Sequence, residues 1–227
     1  MFPVVGIVYL FLKEPVKQAP SERSLRTTAT EYLQAIRNEL SNPALAILLG
    51  GGFVRGFSRY ALVTFVPLFA VRVLSASLVV AGILLSIRGV VYTLVAPFAG
   101  ELVKRFTRKW LLAGSLAVSG VALFALPLVP DVAWLGVLVG CHALGDAMFD
   151  PVNKSTVTAM ARKEYRAGIV NSLYVLKRVG QTASPVVFGL LLAASNYQTL
   201  FVSAALVIGG YVLLFSWLFV YKPVSGE

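Results

Sequence analysis

Charged side chains are scarce in this sequence. Lysine, arginine, aspartate and glutamate make up 13% of its 227 residues, whereas 58% of the residues are hydrophobic. A soluble domain carries about 25% charged residues, and a water-exposed fold of this composition would leave far too much apolar surface in contact with solvent. The composition therefore excludes a soluble globular domain, a disordered chain, a collagen and a coiled coil.

Cysteine and histidine are also nearly absent, with one of each at the adjacent positions Cys141 and His142. A lone cysteine forms no internal disulfide, and two neighbouring side chains do not make a metal site, which needs three or four ligands. We therefore predict no metal site and no cofactor, and interpret this pair as helix residues in packing contact. The lone histidine also argues against a membrane-embedded enzyme built on a metal or on a Ser/His pair.

Long apolar runs dominate the rest of the sequence. Six of them follow one another, each long enough for the roughly 20 residues that cross the hydrocarbon core of a bilayer. They cover residues 43–71, 77–102, 110–129, 133–161, 168–194 and 200–221. We therefore predict an all-α membrane protein with a six-transmembrane-helix bundle over residues 42–221.

The segments that flank this bundle are short or polar. Residues 1–12 are apolar but too short to span and lack a signal-peptide pattern, so we interpret them as the end of a truncated transmembrane helix. Residues 13–41 are predicted to form a cytoplasmic linker with a short amphipathic helix at its end. Residues 222–227 are predicted to form a cytoplasmic tail.

The net charge of +10 has a topological explanation. Membrane proteins concentrate lysine and arginine in their cytoplasmic loops, and with the linker inside, the outer loops carry only Arg72. The basic residues assigned to the inside are Lys13, Lys17, Arg23, Arg26, Arg37, Lys104, Arg105, Arg108, Lys109, Arg162, Lys163, Arg166 and Lys222. We therefore predict a multi-pass protein of the inner or plasma membrane, with both ends of the bundle cytoplasmic, and no nucleic-acid partner.

Ionisable residues inside the apolar runs are the candidate functional residues. Each costs about 3 kcal/mol or more at the bilayer centre unless it is paired or hydrated. They are Arg55, Arg59, Arg88, Asp146, Asp150, Lys154, Lys177 and Arg178. Their number favours a hydrophilic pathway for a substrate or a proton, and the surplus of cations favours an anionic or polar solute. The alternative is a set of structural ion pairs that hold helices together.

The spacing of these residues predicts how they pair. Arg55 and Arg59 are four residues apart, as are Asp146, Asp150 and Lys154, so each set shares one helix face. At about 1.5 Å rise per residue, Arg55 lies at the height of Asp150 and Arg59 at the height of Asp146. We therefore predict the pairs Arg55–Asp150 and Arg59–Asp146, with one of the two carboxylates as the site of a coupling proton.

Residues 100–109, Gly-Glu-Leu-Val-Lys-Arg-Phe-Thr-Arg-Lys, resemble a loop signature of the major facilitator superfamily. In that family the signature lies between the second and third helices of each half. The matching residues are Gly100, Leu102, Arg105, Arg108 and Lys109. The family's aspartate is replaced by Lys104 and its second glycine by Thr107, which leaves a strongly basic turn at this point.

Residues 180–189 carry a second resemblance, to a glycine- and proline-containing signature in the fifth helix of each half. Gly180, Ser184, Pro185 and Gly189 occupy its positions, with Ser184 and Phe188 in place of glycines. The small residues predict close helix approach, and the proline predicts a bend. In the N-terminal half this motif is associated with proton-coupled drug antiporters, so a drug/proton antiporter is one alternative function.

The resemblance implies helices seven to twelve of a twelve-helix secondary transporter, that is, its C-terminal half. Such a protein is not an enzyme, and it moves a small solute by alternating access of two six-helix halves around a midplane site. The implied partners are the lipid bilayer, the solute, and an N-terminal six-helix half or a second copy of this chain. A second alternative is a truncated, non-transporting half or a structural membrane partner.

Overall fold

The structure, a computed structural model, describes residues 41–221, with side chains up to residue 218. The predicted truncated helix at 1–12, nearly all of the linker at 13–41 and the tail at 222–227 lie outside these residues. The described chain forms α1 (Pro43–Arg72), α2 (Leu78–Val95), α3 (Ala99–Arg105), α4 (Arg108–Ala125), α5 (Val132–Met160), α6 (Arg166–Ala194) and α7 (Tyr197–Tyr221).

Side-chain caps and prolines set the ends of these helices. Asn42 accepts a hydrogen bond from the Ala44 backbone N–H at 3.1 Å, and Asp131 caps α5 through the Trp134 N–H at 3.0 Å. Both satisfy backbone donors that have no partner in the first helical turn. Pro97 and Pro127 lie in short 3₁₀ turns that end α2 and α4, because a proline cannot continue the hydrogen-bond ladder.

The structure confirms the prediction of an all-α bundle and refines its boundaries. The second predicted run, 77–102, is divided into α2 and α3 by the turn Ala96–Phe98. The fifth and sixth runs begin earlier than predicted, at Arg166 and Tyr197. These starts contain polar residues that the hydropathy pattern assigned to loops, although helices commonly extend beyond the apolar core into the interface.

Helices α1 and α6 pack together through glycines. A Cβ atom at Gly56 would collide with the carbonyl of Lys177, and one at Gly180 would collide with the carbonyl of Phe53. The two backbones are therefore closer than any larger residue allows, which is how membrane helices gain van der Waals contact. The seam holds the charged part of α6 against the charged part of α1.

The outer faces of the bundle are apolar. Leu78, Leu94, Val121 and Leu213 are among many large hydrophobic side chains that are more than half exposed, which suits lipid rather than water. Among the described residues, five spans are long and apolar enough to cross a membrane: Pro43–Arg72, Leu78–Arg105, Arg108–Leu128, Val132–Met160 and Tyr197–Leu218. The remaining long helix, α6, carries Lys177 and Arg178 near its middle, which lowers its hydropathy.

Candidate functional site

Four helices bring charged side chains together inside the bundle. α5 contributes Asp146 and Asp150, which lie four residues apart on one face. α1 contributes Arg55 and Arg59 with the same spacing, and α2 contributes Arg88 and Tyr92, again four apart. α6 adds Lys177. This repeated spacing aligns each pair along its helix, because residues i and i+4 lie one above the other.

Asp146 is the centre of a fully enclosed set of charges. Its side chain is 0% exposed, and it forms ion pairs with Arg55, also 0% exposed, and with Arg88 Nη2, whose nitrogen lies 2.6 Å from Asp146 Oδ2. His142 Nδ1 lies 3.7 Å from Asp146 Oδ1. We call Arg55, Arg88, His142 and Asp146 the buried group. Two buried cations on different helices share one carboxylate, which ties α1 and α2 to α5.

Asp150 is the centre of a second set of polar side chains, which are partly exposed. Lys177 Nζ donates to Asp150 Oδ2 at 2.6 Å, the Tyr92 hydroxyl donates to the same oxygen at 3.4 Å, and Arg59 Nη1 lies 3.6 Å away. The side chains of Arg59, Lys177 and Asp150 are 24%, 17% and 14% exposed. We call Arg59, Tyr92, Asp150 and Lys177 the accessible group. A single carboxylate oxygen here faces donors from three helices.

Arg59 connects the two groups. Its Nε lies 3.8 Å from Asp146 Oδ2, while its Nη1 approaches Asp150. The guanidinium also lies 5.6 Å from the centre of the Tyr92 ring, within cation–π range. Movement of Arg59 therefore changes the charge balance at both carboxylates.

The structure pairs these residues differently from the prediction made by helix depth. Arg55 contacts Asp146 and not the predicted Asp150, which Lys177 contacts instead. Arg59 does reach Asp146, as expected, and also Asp150. Depth alone does not select the partner, because an arginine side chain extends over about one helical turn, 5.4 Å.

The two remaining candidate residues lie beside this cluster. Lys154 Nζ is 5.5 Å from the centre of the Tyr174 ring, and Arg178 Nη1 donates to Gln181 Oε1 at 3.2 Å. Arg178 lies in an open groove along α6 with Asn171, Tyr174 and Thr182. This polar strip is exposed from the second turn of α6 to its middle, and valines such as Val175 and Val179 lie beside it in the groove.

Sequence reasoning missed Tyr92 and undervalued His142. His142 is fully buried, and neither of its ring nitrogens has a hydrogen-bond partner among residues 41–221. Both residues could have been found from their spacing, since His142 precedes Asp146 by four residues and Tyr92 follows Arg88 by four. Within the same described range, no group of three or more His, Cys, Asp or Glu side chains could hold a metal ion.

The two sequence motifs lie at a turn and at the α1–α6 seam. Gly100, Leu102 and Arg105 belong to helix α3, so the loop predicted between the runs 77–102 and 110–129 shrinks to Phe106 and Thr107. Lys104 Nζ forms an exposed ion pair with Glu101 Oε2 at 2.9 Å. The turn ends at Arg108, the first residue of α4, which Lys109 follows.

In the second motif Gly180 makes the close contact that the pattern predicts, and Ser184 is fully buried. At Gly189, however, a Cβ atom would meet no atom within 4 Å. The expectation of close approach is therefore wrong for Gly189. Pro185 lies inside α6, which continues as one helix to Ala194.

A bundle of long apolar helices with charged side chains buried at its centre defines a multi-pass α-helical membrane protein. The model of one family, the Major Facilitator Superfamily, matches residues 48–227. The chain belongs to this family, whose members are membrane transporters rather than enzymes. No curated protein gave a significant match.

Proposed function

We propose that this chain forms a solute-translocating bundle of a secondary active transporter that works by alternating access and is coupled to protons. The observation that carries the proposal is the cluster of charges shared by α1, α2, α5 and α6. Ionisable residues in membrane spans are costly unless they are paired or line a water-filled cavity. The accessible group is polar and partly exposed, and a solute pathway requires both properties.

The polar strip on α6 supports the proposal of a protein partner. Asn171, Tyr174, Arg178 and Thr182 are exposed between the second turn of α6 and its middle. Thr182 and Arg178 have hydrogen-bond partners within α6, but the Arg178 charge would still be costly against lipid tails. A second six-helix bundle, either an N-terminal half or another copy of this chain, would cover this strip or enclose it in a water-filled cavity. Alternating access would then be the rocking of one bundle against the other.

Proton coupling is expected to depend on the carboxylates of the cluster. We expect solute uptake by the reconstituted transporter to depend on pH, and Asp146→Asn or Asp150→Asn to abolish that dependence, because an amide neither gains nor loses a proton near neutral pH. The measurement is solute uptake against external pH in proteoliposomes. Glu101→Gln, which makes the same acid-to-amide change at an exposed carboxylate, is the control. Wild-type proton coupling in both aspartate variants would show that neither residue carries the proton.

The proposed orientation in the inner or plasma membrane can be tested with single cysteines. Replacing Cys141 by serine removes the only cysteine of the chain. In that background Lys163→Cys, between α5 and α6, should react with a membrane-impermeant maleimide only after intact cells are permeabilised. Val73→Cys, after α1, should react in intact cells to near completion. The opposite labelling pattern would overturn the orientation that the loop charges predict.

A further inference from the structure

We infer that the accessible group is a binding site for a small anion with a carboxylate or phosphate head, and that the Asp150 side chain occupies this site as a tethered competitor. This inference rests on the proposed function and names the substrate class for it. The solute's oxyanion would displace Asp150 from Lys177, Arg59 and Tyr92.

The contacts of the Asp150 side chain support its role as a tethered competitor of the solute. One oxygen, Oδ2, lies within 3.6 Å of an ammonium, a hydroxyl and a guanidinium that come from α6, α2 and α1. Lys177 makes a short charge-assisted hydrogen bond, the strongest kind that side chains form, while Tyr92 adds a longer hydrogen bond and Arg59 an ion pair. Three groups that converge from separate helices in this way form a site for an oxyanion. An incoming carboxylate would meet the same donors in the same arrangement.

The difference in burial separates the exchangeable site from the structural one. The side chains of Asp146 and Arg55 are 0% exposed, so no solute reaches them without opening the bundle. Arg59, Lys177 and Asp150 are all partly exposed. A solute would therefore exchange with Asp150 while Asp146 stays paired with Arg55 and Arg88.

The charge balance favours an anion over a neutral or cationic solute. The two groups together hold the cations Arg55, Arg59, Arg88 and Lys177 but only two carboxylates. Buried charge without a counter-ion is costly, and within residues 41–221 the remaining acidic residues, Glu101, Asp131 and Glu164, lie at helix ends or in connections. A bound anion would supply the missing negative charge.

The test is equilibrium binding of radiolabelled succinate and phosphate to the purified full-length chain in lipid nanodiscs at constant ionic strength. We expect Asp150→Asn to tighten binding about tenfold, equivalent to about 1.4 kcal/mol, because it removes the competitor but keeps every donor. Lys177→Met should weaken binding about tenfold or more. The two ligands distinguish a carboxylate from a phosphate head, and tighter binding of either in Asp150→Asn supports the inference.

Two further variants test the site without altering Asp150: one removes a single donor, and the other removes a cation outside the cluster. Tyr92→Phe retains every charge of the cluster and should weaken binding two- to threefold, even if Asp150→Asn fails to fold. Arg72→Gln removes a cation at the exposed end of α1 and should leave affinity unchanged. Unchanged or weaker binding in a folded Asp150→Asn variant, or wild-type affinity in Lys177→Met, would overturn the inference.

Uptake measurements separate this inference from the proposed function. Transport of glucose or choline in preference to both anions would overturn the anion site while the proposed transporter function stands. Anion binding with the predicted changes, but no uptake and no proton movement in proteoliposomes, would overturn the transporter function alone.

Discussion

Asp146→Asn is expected to lower the free energy of unfolding by about 3–5 kcal/mol, the cost of removing one partner from a buried ion pair. The substitution leaves Arg55 fully buried and Arg88 nearly so, with no carboxylate between them. The residue volume barely changes, so lost packing would not account for the effect. Unfolding of the purified protein in detergent by heat or by a denaturing surfactant measures the difference.

The matched control for this prediction is Glu101→Gln, which makes the same acid-to-amide change at the exposed pair with Lys104. Exposed pairs contribute about 0.2–1 kcal/mol, so this variant should unfold within 1 kcal/mol of the wild type. Adding Arg55→Gln to Asp146→Asn should recover part of the lost stability, because it removes one stranded charge. If Glu101→Gln and Asp146→Asn lowered the free energy of unfolding equally, Asp146 would not be a structural counter-ion of Arg55 and Arg88. The same conclusion would follow if adding Arg55→Gln to Asp146→Asn recovered no stability.

Gly180→Ala is expected to have the second large effect, a loss of about 1–3 kcal/mol, typical of inserting a methyl group into a packed interior. A Cβ at Gly180 would collide with the Phe53 carbonyl and lie 3.0 Å from the Phe57 backbone nitrogen. Because both obstacles are backbone atoms, α1 and α6 must separate. The separation would also move Lys177 relative to Asp150, so anion binding should weaken together with stability.

Gly189→Ala on the same helix is the control, since a Cβ there meets no atom within 4 Å. It should be neutral or slightly stabilising, by up to about 1 kcal/mol, because alanine favours the helical conformation more than glycine does. Chemical crosslinking between cysteines placed on α1 and α6 would report the separation directly. If Gly180→Ala and Gly189→Ala unfolded alike, the backbone contact would not determine how these helices pack.

Most of the fold could be predicted because the relevant signals are local. A run of about 20 apolar residues identifies a span however the helices are later packed. Asn42 and Asp131 mark helix starts through hydrogen bonds to backbone groups two or three residues away. The boundaries were wrong at polar helix ends, such as the start of α6 at Arg166, because hydropathy falls before the helix ends. They were also wrong at the turn Ala96–Phe98, which divides an apolar run.

The members of the charge cluster could also be identified, because each one is costly inside an apolar run. Their partners could not be. Asp146 and Asp150 share a face of α5, and both lie within the reach of Arg59. Only the relative rotation and axial offset of α1, α2, α5 and α6 determine which cation meets which carboxylate, and these depend on contacts between distant parts of the chain.

The sequence by itself determined that this protein is an all-α membrane protein and that charged residues lie within its apolar helices. Composition, periodicity and spacing are sufficient for that, since each depends on neighbours along one helix. The tertiary structure decided that Asp146 is buried between Arg55 and Arg88, whereas Asp150 is partly exposed beside Lys177. Burial arises from how helices pack, so two aspartates one turn apart on the same face acquire different environments.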